Sequence, residues 1–321
     1  MNNFIDSFLR QLNELTPSLK WKNLNSGSYY EKTKTSKPDE FDVMIYPSQV
    51  NVSVDFSDKS MPGFYKVKMI STRISEIKDS VDRNGFVIPG SFKTTVFVLF
   101  DIAIRQMREG RRIKRKENSS SSPAFTIDFD PGAGITHLDI DLVPCFKVEG
   151  WPEVARRINP QWIHADGKVN DSMKSYDVVC KACPEDHKEK VLLWRLSFAK
   201  TEKMLMTYAN SNDEIKFKKN AYKCLKLCIE KVKAENAGRN FKWSSYNLKH
   251  FMFCQYDNWP SKCKEVVIQR NVIKQLIDIL SQSQPVIPNY FIENYNVIRH
   301  IQREELRLIV RGLDEELTKL G

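Results

Sequence analysis

Gly27-Ser28-Tyr29-Tyr30-Glu31 is followed, after a spacer ending in Lys37-Pro38-Asp39, by Glu40-Phe41-Asp42-Val43-Met44-Ile45, and the fold turns on these two stretches. The apolar and β-branched content of the second predicts a strand. Residues two apart on a strand project from the same face, so Glu40 and Asp42 point one way. Two hard oxygen donors a few ångströms apart suit Mg²⁺, which takes one or two carboxylates and leaves its other positions to phosphates and water. Gly27-Ser28 is a small, permissive pair whose backbone N–H groups and hydroxyl can hold a terminal phosphate at a helix start. Together these parts fit transfer of a nucleotidyl group from a metal-bound triphosphate.

A second strand, Thr136-His137-Leu138-Asp139-Ile140-Asp141-Leu142-Val143-Pro144, supplies a further acid. Two-metal phosphoryl transfer needs a carboxylate for the cation that activates the attacking hydroxyl. A charged side chain in an apolar strand is costly unless something compensates it. Asp139 and Asp141 share a face, so spacing alone leaves both open.

The chain of 321 residues exceeds the size at which one hydrophobic core keeps growing, which predicts a bilobal unit or two domains. At 41% hydrophobic and 28% charged it has the composition of a soluble globular protein. It contains no run of 18 apolar residues and no basic-apolar-small leader pattern, so neither a membrane span nor a secretory signal is expected. Seven scattered cysteines read as reduced thiols of a cytoplasmic or nuclear protein. The net charge of +10 is concentrated in two runs, Arg105 to Lys116 and Lys216 to Lys233. Such a surplus suits a polyanionic partner, although a charge run alone is also an ordinary solvated face.

Apolar residues at helical spacing from Phe4 to Leu15 predict a first helix, ended near Pro17. Strands are expected at 41–56 and 64–70 around the Pro62-Gly63 turn, and a helix at Phe92 to Met107. Asn118 to Pro123 is a polar loop, and strands follow at Ala124–Phe129 and Ile135–Phe146. After Trp151-Pro152 the pattern predicts helices only, at 153–158, 188–208, 218–235, 244–254, 264–281 and 298–319. The expected division is therefore a mixed α/β part, 1–150, and a helical part, 151–321.

The order of motifs then becomes specific. Gly27 to Glu31, Pro38-Asp-Glu-Phe-Asp-Val-Met44, Ser122-Pro-Ala-Phe-Thr126, Trp194-Arg-Leu-Ser-Phe198, Glu202-Lys203, Ser244-Ser-Tyr246 and Asn289-Tyr-Phe-Ile292 occur in sequence along the chain. In this series the chain resembles the cyclic GMP-AMP synthase-like receptors, nucleic-acid-triggered nucleotidyltransferases of innate immunity. The resemblance implies an α+β bilobal nucleotidyltransferase fold: a mixed β-sheet N-lobe with a long N-terminal helix, a helical C-lobe, and an active site in the cleft.

It also implies roles at matching positions. Glu40, Asp42 and Asp141 would bind Mg²⁺, with Mn²⁺ as a substitute; Asp141 fits the family pattern better than Asp139, which stays an alternative. Gly27 and Ser28 would hold the donor's terminal phosphates. Tyr246 would stack on a base, and Ser245 and Lys226 would contact the triphosphate. Arg195, Ser197 and Lys181 would line the acceptor pocket, and Glu202 would also contact nucleotide. The implied substrates are ATP and GTP, and the implied product is a cyclic dinucleotide.

The trigger is set by a departure from the family. The DNA-sensing animal enzyme carries a zinc-binding His/Cys insertion, whereas this chain has no cysteine or histidine between Glu202 and Ala221. No structural zinc is expected, and the resemblance shifts to double-stranded RNA sensing. Lys114, Arg115, Lys116, Lys203, Lys219 and Lys223 match the nucleic-acid-facing positions. A-form RNA is read by shape and phosphates. A dimer on nucleic acid follows from the family alone. The alternatives are activation by DNA or another ligand, and a non-catalytic nucleic-acid-binding protein of the same fold. Cys180, Cys183 and His187 have zinc-like spacing without a fourth ligand and read as structural thiols, and His250 and His300 as core or helix-surface histidines.

Overall fold

A computed structural model describes residues 2–37, 39–71, 74–119, 122–132, 137–156, 171–184, 186–208, 213–255 and 265–320. It places two compact units: 1–32, 36–153 and 165–204 form the first, and 33–35, 154–164 and 205–321 the second. The expected division was a single boundary after residue 150.

The first unit is built on one nine-stranded sheet. Its strands are β1 (Trp21–Ser26), β2 (Glu40–Pro47), β3 (Val52–Asp55), β4 (Phe64–Met69), β5 (Ile113–Arg115), β6 (Phe125–Phe129), β7 (Leu138–Glu149), β8 (Ser175–Val179) and β9 (Leu193–Ser197). The main path runs β1-β2-β7-β8-β9-β4-β3, with β6 on β7 and β5 on β6. β2 and β7 are parallel, and the other pairs are antiparallel. β7 is long enough to change neighbours: residues 138–142 pair with β6, and 145–149 with β8.

Alternation along β2 and β7 sends Phe41, Val43, Ile45, Ile140 and Leu142 into the core and leaves the acids on the other face. Two helices cover the apolar face, α1 (Asn2–Leu15) and α3 (Pro89–Gln106). In α3, Phe92, Val96, Phe100 and Ala103 recur every three or four residues and are all buried. Phe100 meets Phe8 edge-on at 5.2 Å and Phe125 at 5.7 Å, while Phe92 lies 4.4 Å from Phe146 and 5.5 Å from Trp194. Truncating either phenylalanine to alanine costs about 3–5 kcal/mol.

The reading of 188–208 as one helix is corrected. Lys190–Leu192 is a single 3₁₀ turn and Leu193–Ser197 is strand β9, whose Trp194 and Leu196 are buried while Arg195 and Ser197 lie on the opposite face; only Ala199–Tyr208 (α4) is α-helix. β8 was missed as well, because Ser-Tyr-Asp-Val-Val is buried along its whole length and so lacks strand alternation. Described residues 153–156 form a turn and a bridge from Ala155 to Ile292 rather than helix, and 157–158 lie outside the described residues.

The described helices of the second unit are α5 (Asp213–Glu235), α6 (Ser245–Gln255), α7 (Glu265–Ser281) and α8 (Arg303–Lys319). They follow the expected segments closely, except that 298–302 is not helical. No described helix is long and apolar enough to cross a membrane.

Candidate active site

The acids of the two strand motifs meet through strand register. In the parallel pairing of β2 and β7, Glu40 stands opposite Asp139 and Asp42 opposite Asp141. Paired strands lie about 4.8 Å apart, so four carboxylates occupy adjacent places on one face. They are the hard oxygen donors a divalent cation takes. Among the described residues no three such groups are already closed into one ligand shell.

Asp139 and Asp141 differ in their surroundings. Lys116 Nζ bonds Asp139 Oδ1 at 2.5 Å, which ties that acid to the basic segment. Asp141 instead accepts a short hydrogen bond from the Thr126 hydroxyl, directly opposite it on β6. Burial raises the Asp141 pKa and the nearby Glu40 and Asp139 add to the rise, while Thr126 and Lys116 act against it. An acid held among like charges gains most from a cation. The environment thus separates two acids that spacing alone left equivalent.

The Gly-Ser turn abuts the same acids. β1 ends at Ser26, opposite Asp42, and the short helix α2 (Gly27–Tyr30) begins at once. Gly27 has φ +77°, and a Cβ there would overlap the Asp42 carboxylate. Only glycine satisfies both constraints. The serine loop reaches the acids too: Asn118 Nδ2 donates to Thr126 Oγ1 at 2.6 Å and to the Ala124 carbonyl at 2.8 Å.

Further along the sheet, Arg195 and Ser197 project from the acid-bearing side of β9, Arg195 opposite Val179 and Ser197 opposite Asp177. Lys181 lies two residues beyond the end of β8, and its pKa is lowered by burial and by the like charges of Arg195 and Lys93. Glu202, in the first turn of α4, is buried. Asp177 was not anticipated. It is 4% exposed, lies between Lys147 and Ser197 in the register, and burial lifts its carboxyl to about 7 against the pull of Lys147 and Lys200. Its sequence signal was an acid in an apolar pentapeptide, hidden because the pentapeptide was not read as a strand.

In the second unit, Asn247 reaches back to accept from the Ser244 backbone N–H at 2.7 Å and hydroxyl at 3.2 Å, which starts α6 at Ser245. Tyr246 receives a bond from Asn289 Nδ2 at 3.0 Å and stands edge-on to His250, 4.3 Å away. His250 is a fully buried core histidine that accepts from the Tyr290 N–H. Lys226 lies 3.7 Å from Glu230.

The basic candidates separate by environment. Lys219 is corrected: it is 3% exposed and donates to the Met206 carbonyl at 3.1 Å, so it presents no charge to solvent. Its apolar neighbours Ala221, Tyr222 and Leu225 bury that side of α5. Lys203 donates to the Asn25 carbonyl at 2.9 Å and lies over the Tyr30 ring. Arg115 pairs with Asp101 at 2.8 Å. Lys114 is exposed and Lys223 half-buried, while the side chains of Lys216 and Lys218 lie outside the described residues. Neither Cys180 nor Cys183 is joined in a disulfide, and His187 turns to Ser60 and Asp58 instead of toward them.

Residues 29–208, more than half of the chain, match the family described as Mab-21 protein nucleotidyltransferase domain. A cyclic GMP-AMP synthase-like receptor of Magallana gigas is 35% identical over 98% of this chain and 54% of its own length. One of Aethina tumida is 24% identical over 96% of this chain and 80% of its own. The cyclic GMP-AMP synthase of Sus scrofa is 26% identical over 85% of this chain and 57% of its own. The chain thus spans about half the length of the Magallana and Sus relatives.

Proposed function

Because the chain belongs to the Mab-21 nucleotidyltransferase family, we propose that it is a nucleotidyltransferase making a cyclic dinucleotide of the cyclic GMP-AMP type from ATP and GTP. The observation that carries this reading is Asp42 opposite Asp141 on parallel strands, with Gly27 closed against Asp42. Glu40, Asp42 and Asp141 are the donor set for Mg²⁺, or Mn²⁺ in its place. When bound, the cations would neutralise charge at the phosphates and activate the attacking hydroxyl.

The chain's own residues bind and orient. Gly27 lets the backbone approach the donor's terminal phosphates, and the Ser28 hydroxyl adds a bond to them. Ser245 and Lys226 contact the triphosphate, and the Tyr246 ring offers a base a stacking face worth ~1–3 kcal/mol. Arg195 presents a planar fork of donors to a purine edge, joined by Ser197 and Lys181, with Glu202 as a further nucleotide contact. Thr126 favours the ionised form of Asp141. A ribose hydroxyl oxygen bonds to the α-phosphorus, the bond to pyrophosphate breaks, and the hydroxyl proton leaves to solvent. The linear product turns over and a second transfer of the same kind closes the ring. The contribution of the protein is positioning and electrostatic complementarity.

The proposed activator is double-stranded RNA, supported by the net charge, the exposed Lys114 and the absence of Cys and His between Glu202 and Ala221. A second reading, the same enzyme with another trigger, draws support from Lys203 and Lys219 bonding to backbone carbonyls. The test is incubation with labelled ATP and GTP, Mg²⁺, and double-stranded RNA, double-stranded DNA or neither. Cyclic product with RNA is expected. Product with DNA alone would overturn the trigger, no product in any arm would overturn the enzyme, and undiminished product from Glu40→Gln and Asp42→Asn would overturn the site.

A further inference from the structure

Lys203 meets the chain on both sides of the Gly27-Ser28 turn. Its Nζ donates to the Asn25 carbonyl at 2.9 Å and lies 5.2 Å from the centre of the Tyr30 ring. Asn25 stands two residues before Gly27 and Tyr30 two after Ser28, so one ammonium brackets the turn. β1 ends the sheet, and no further described strand braces this corner on its outer side. The buried Tyr30 hydroxyl has no hydrogen-bond partner among the described residues, so it does not anchor the corner either. The ring is held by its neighbours instead, with Tyr29 edge-on at 5.1 Å and Phe41 at 6.4 Å. Burial lowers the Lys203 pKa, and Glu31 acts against the fall. A half-buried ammonium that gives a charge-assisted bond and sits on a ring face is held more firmly than one in water. Its stem rises from α4, where the neighbouring Thr201, Glu202 and Leu205 are buried. To meet a polyanion, Lys203 would have to give up both contacts.

We propose that Lys203 is a positioning residue for nucleotidyl transfer, clamping the Gly27-Ser28 turn against Asp42 rather than contacting a polyanion. The inference rests on the reading of that turn as the donor-phosphate contact. The space a Cβ of Gly27 would fill is taken by the Asp42 carboxylate, so a displaced corner disturbs the turn and the acid together. Arginine can repeat both contacts, donating to the carbonyl and stacking on the ring. Methionine keeps much of the stem's length and loses the charge and the bond.

The experiment is calorimetric titration of the full chain with ATP and Mg²⁺, without nucleic acid, beside double-stranded RNA binding measured at several salt concentrations. Lys203→Met should weaken ATP binding about tenfold or more, and Lys203→Arg should restore most of it. RNA affinity and its salt dependence should stay as in the parent. Tyr30→Leu keeps apolar packing but removes the ring face, so it tests the clamp by a second route and should also weaken ATP binding. Melting curves check that each variant folds. Unchanged ATP binding in both Lys203→Met and Tyr30→Leu would refute the clamp, as would equal loss in Lys203→Met and Lys203→Arg. Weaker RNA binding in Lys203→Met, with a salt slope smaller by about one, would make Lys203 a phosphate contact and overturn the proposal. No saturable ATP binding by the parent would overturn it too, because the turn would then not be preformed. None of these results by itself removes the reaction, which is read from product in the presence of nucleic acid.

Discussion

Replacing Asp177 by asparagine should flatten the pH dependence of stability. In the unfolded chain this carboxyl titrates near 3.8, and burial between β7 and β9 lifts it to about 7 in the fold. Between those values the folded state keeps a proton that the unfolded state has lost, so stability falls as pH rises from 3.8 to about 7 and then levels. At about 1.4 kcal/mol per unit, a shift of roughly three units is a penalty on the order of 4 kcal/mol at neutral pH. From pH 5 to pH 8 the parent should therefore lose on the order of 3 kcal/mol that Asp177→Asn keeps. Neighbouring groups do not confuse the window. Burial pushes the Tyr46 hydroxyl and the Cys145 thiol up, and the bond to Glu149 pushes Lys147 up, so all three titrate above it. Lys147 and Lys200 already act to lower the Asp177 value. Urea unfolding of both proteins at half-unit pH steps measures the difference. Parallel curves across pH 5 to 8 would refute the argument, because they would mean Asp177 is ionised in the fold at little cost.

Three further outcomes concern the acids. Gly27→Ala should cut nucleotidyl transfer by about a hundredfold or more while the protein still folds, because the added methyl displaces Asp42; circular dichroism beside a turnover assay separates the two effects. Thr126→Val removes the bond that opposes the raised Asp141 pKa, so the pH at which activity appears should move upward and the Mg²⁺ requirement increase, read from rate profiles at several Mg²⁺ concentrations. Asp141→Asn should abolish product, whereas Asp139→Asn, which mainly releases Lys116, should leave easily measured turnover; equal loss in both would reinstate Asp139 as a ligand.

Much of this arrangement was legible in the sequence because it is local. Period-two alternation put Glu40 and Asp42 on one face, and the structure keeps them there. The choice between Asp139 and Asp141 was not legible, since both share that face. It depends on Thr126 and Lys116, which strand pairing and a loop bring from elsewhere in the chain. β8 and β9 escaped for the opposite reason: a strand buried on both sides has no alternation, and Trp194 to Phe198 runs into a true helix at Ala199. Lys219 shows the limit of charge counting. Its place in a lysine-rich run suggested a solvated face, yet helical spacing turns its side chain inward to the Met206 carbonyl.

The bond from Asn118 through Thr126 to Asp141 has a direction. An amide NH₂ can only give and an ionised carboxylate can only take, so the one proton of the threonine hydroxyl has a single useful orientation. A residue of the serine loop is thereby wired in series with an acid proposed to bind metal. Losing the Asn118 bond would free that hydroxyl to rotate, and the support it gives the ionised Asp141 would weaken.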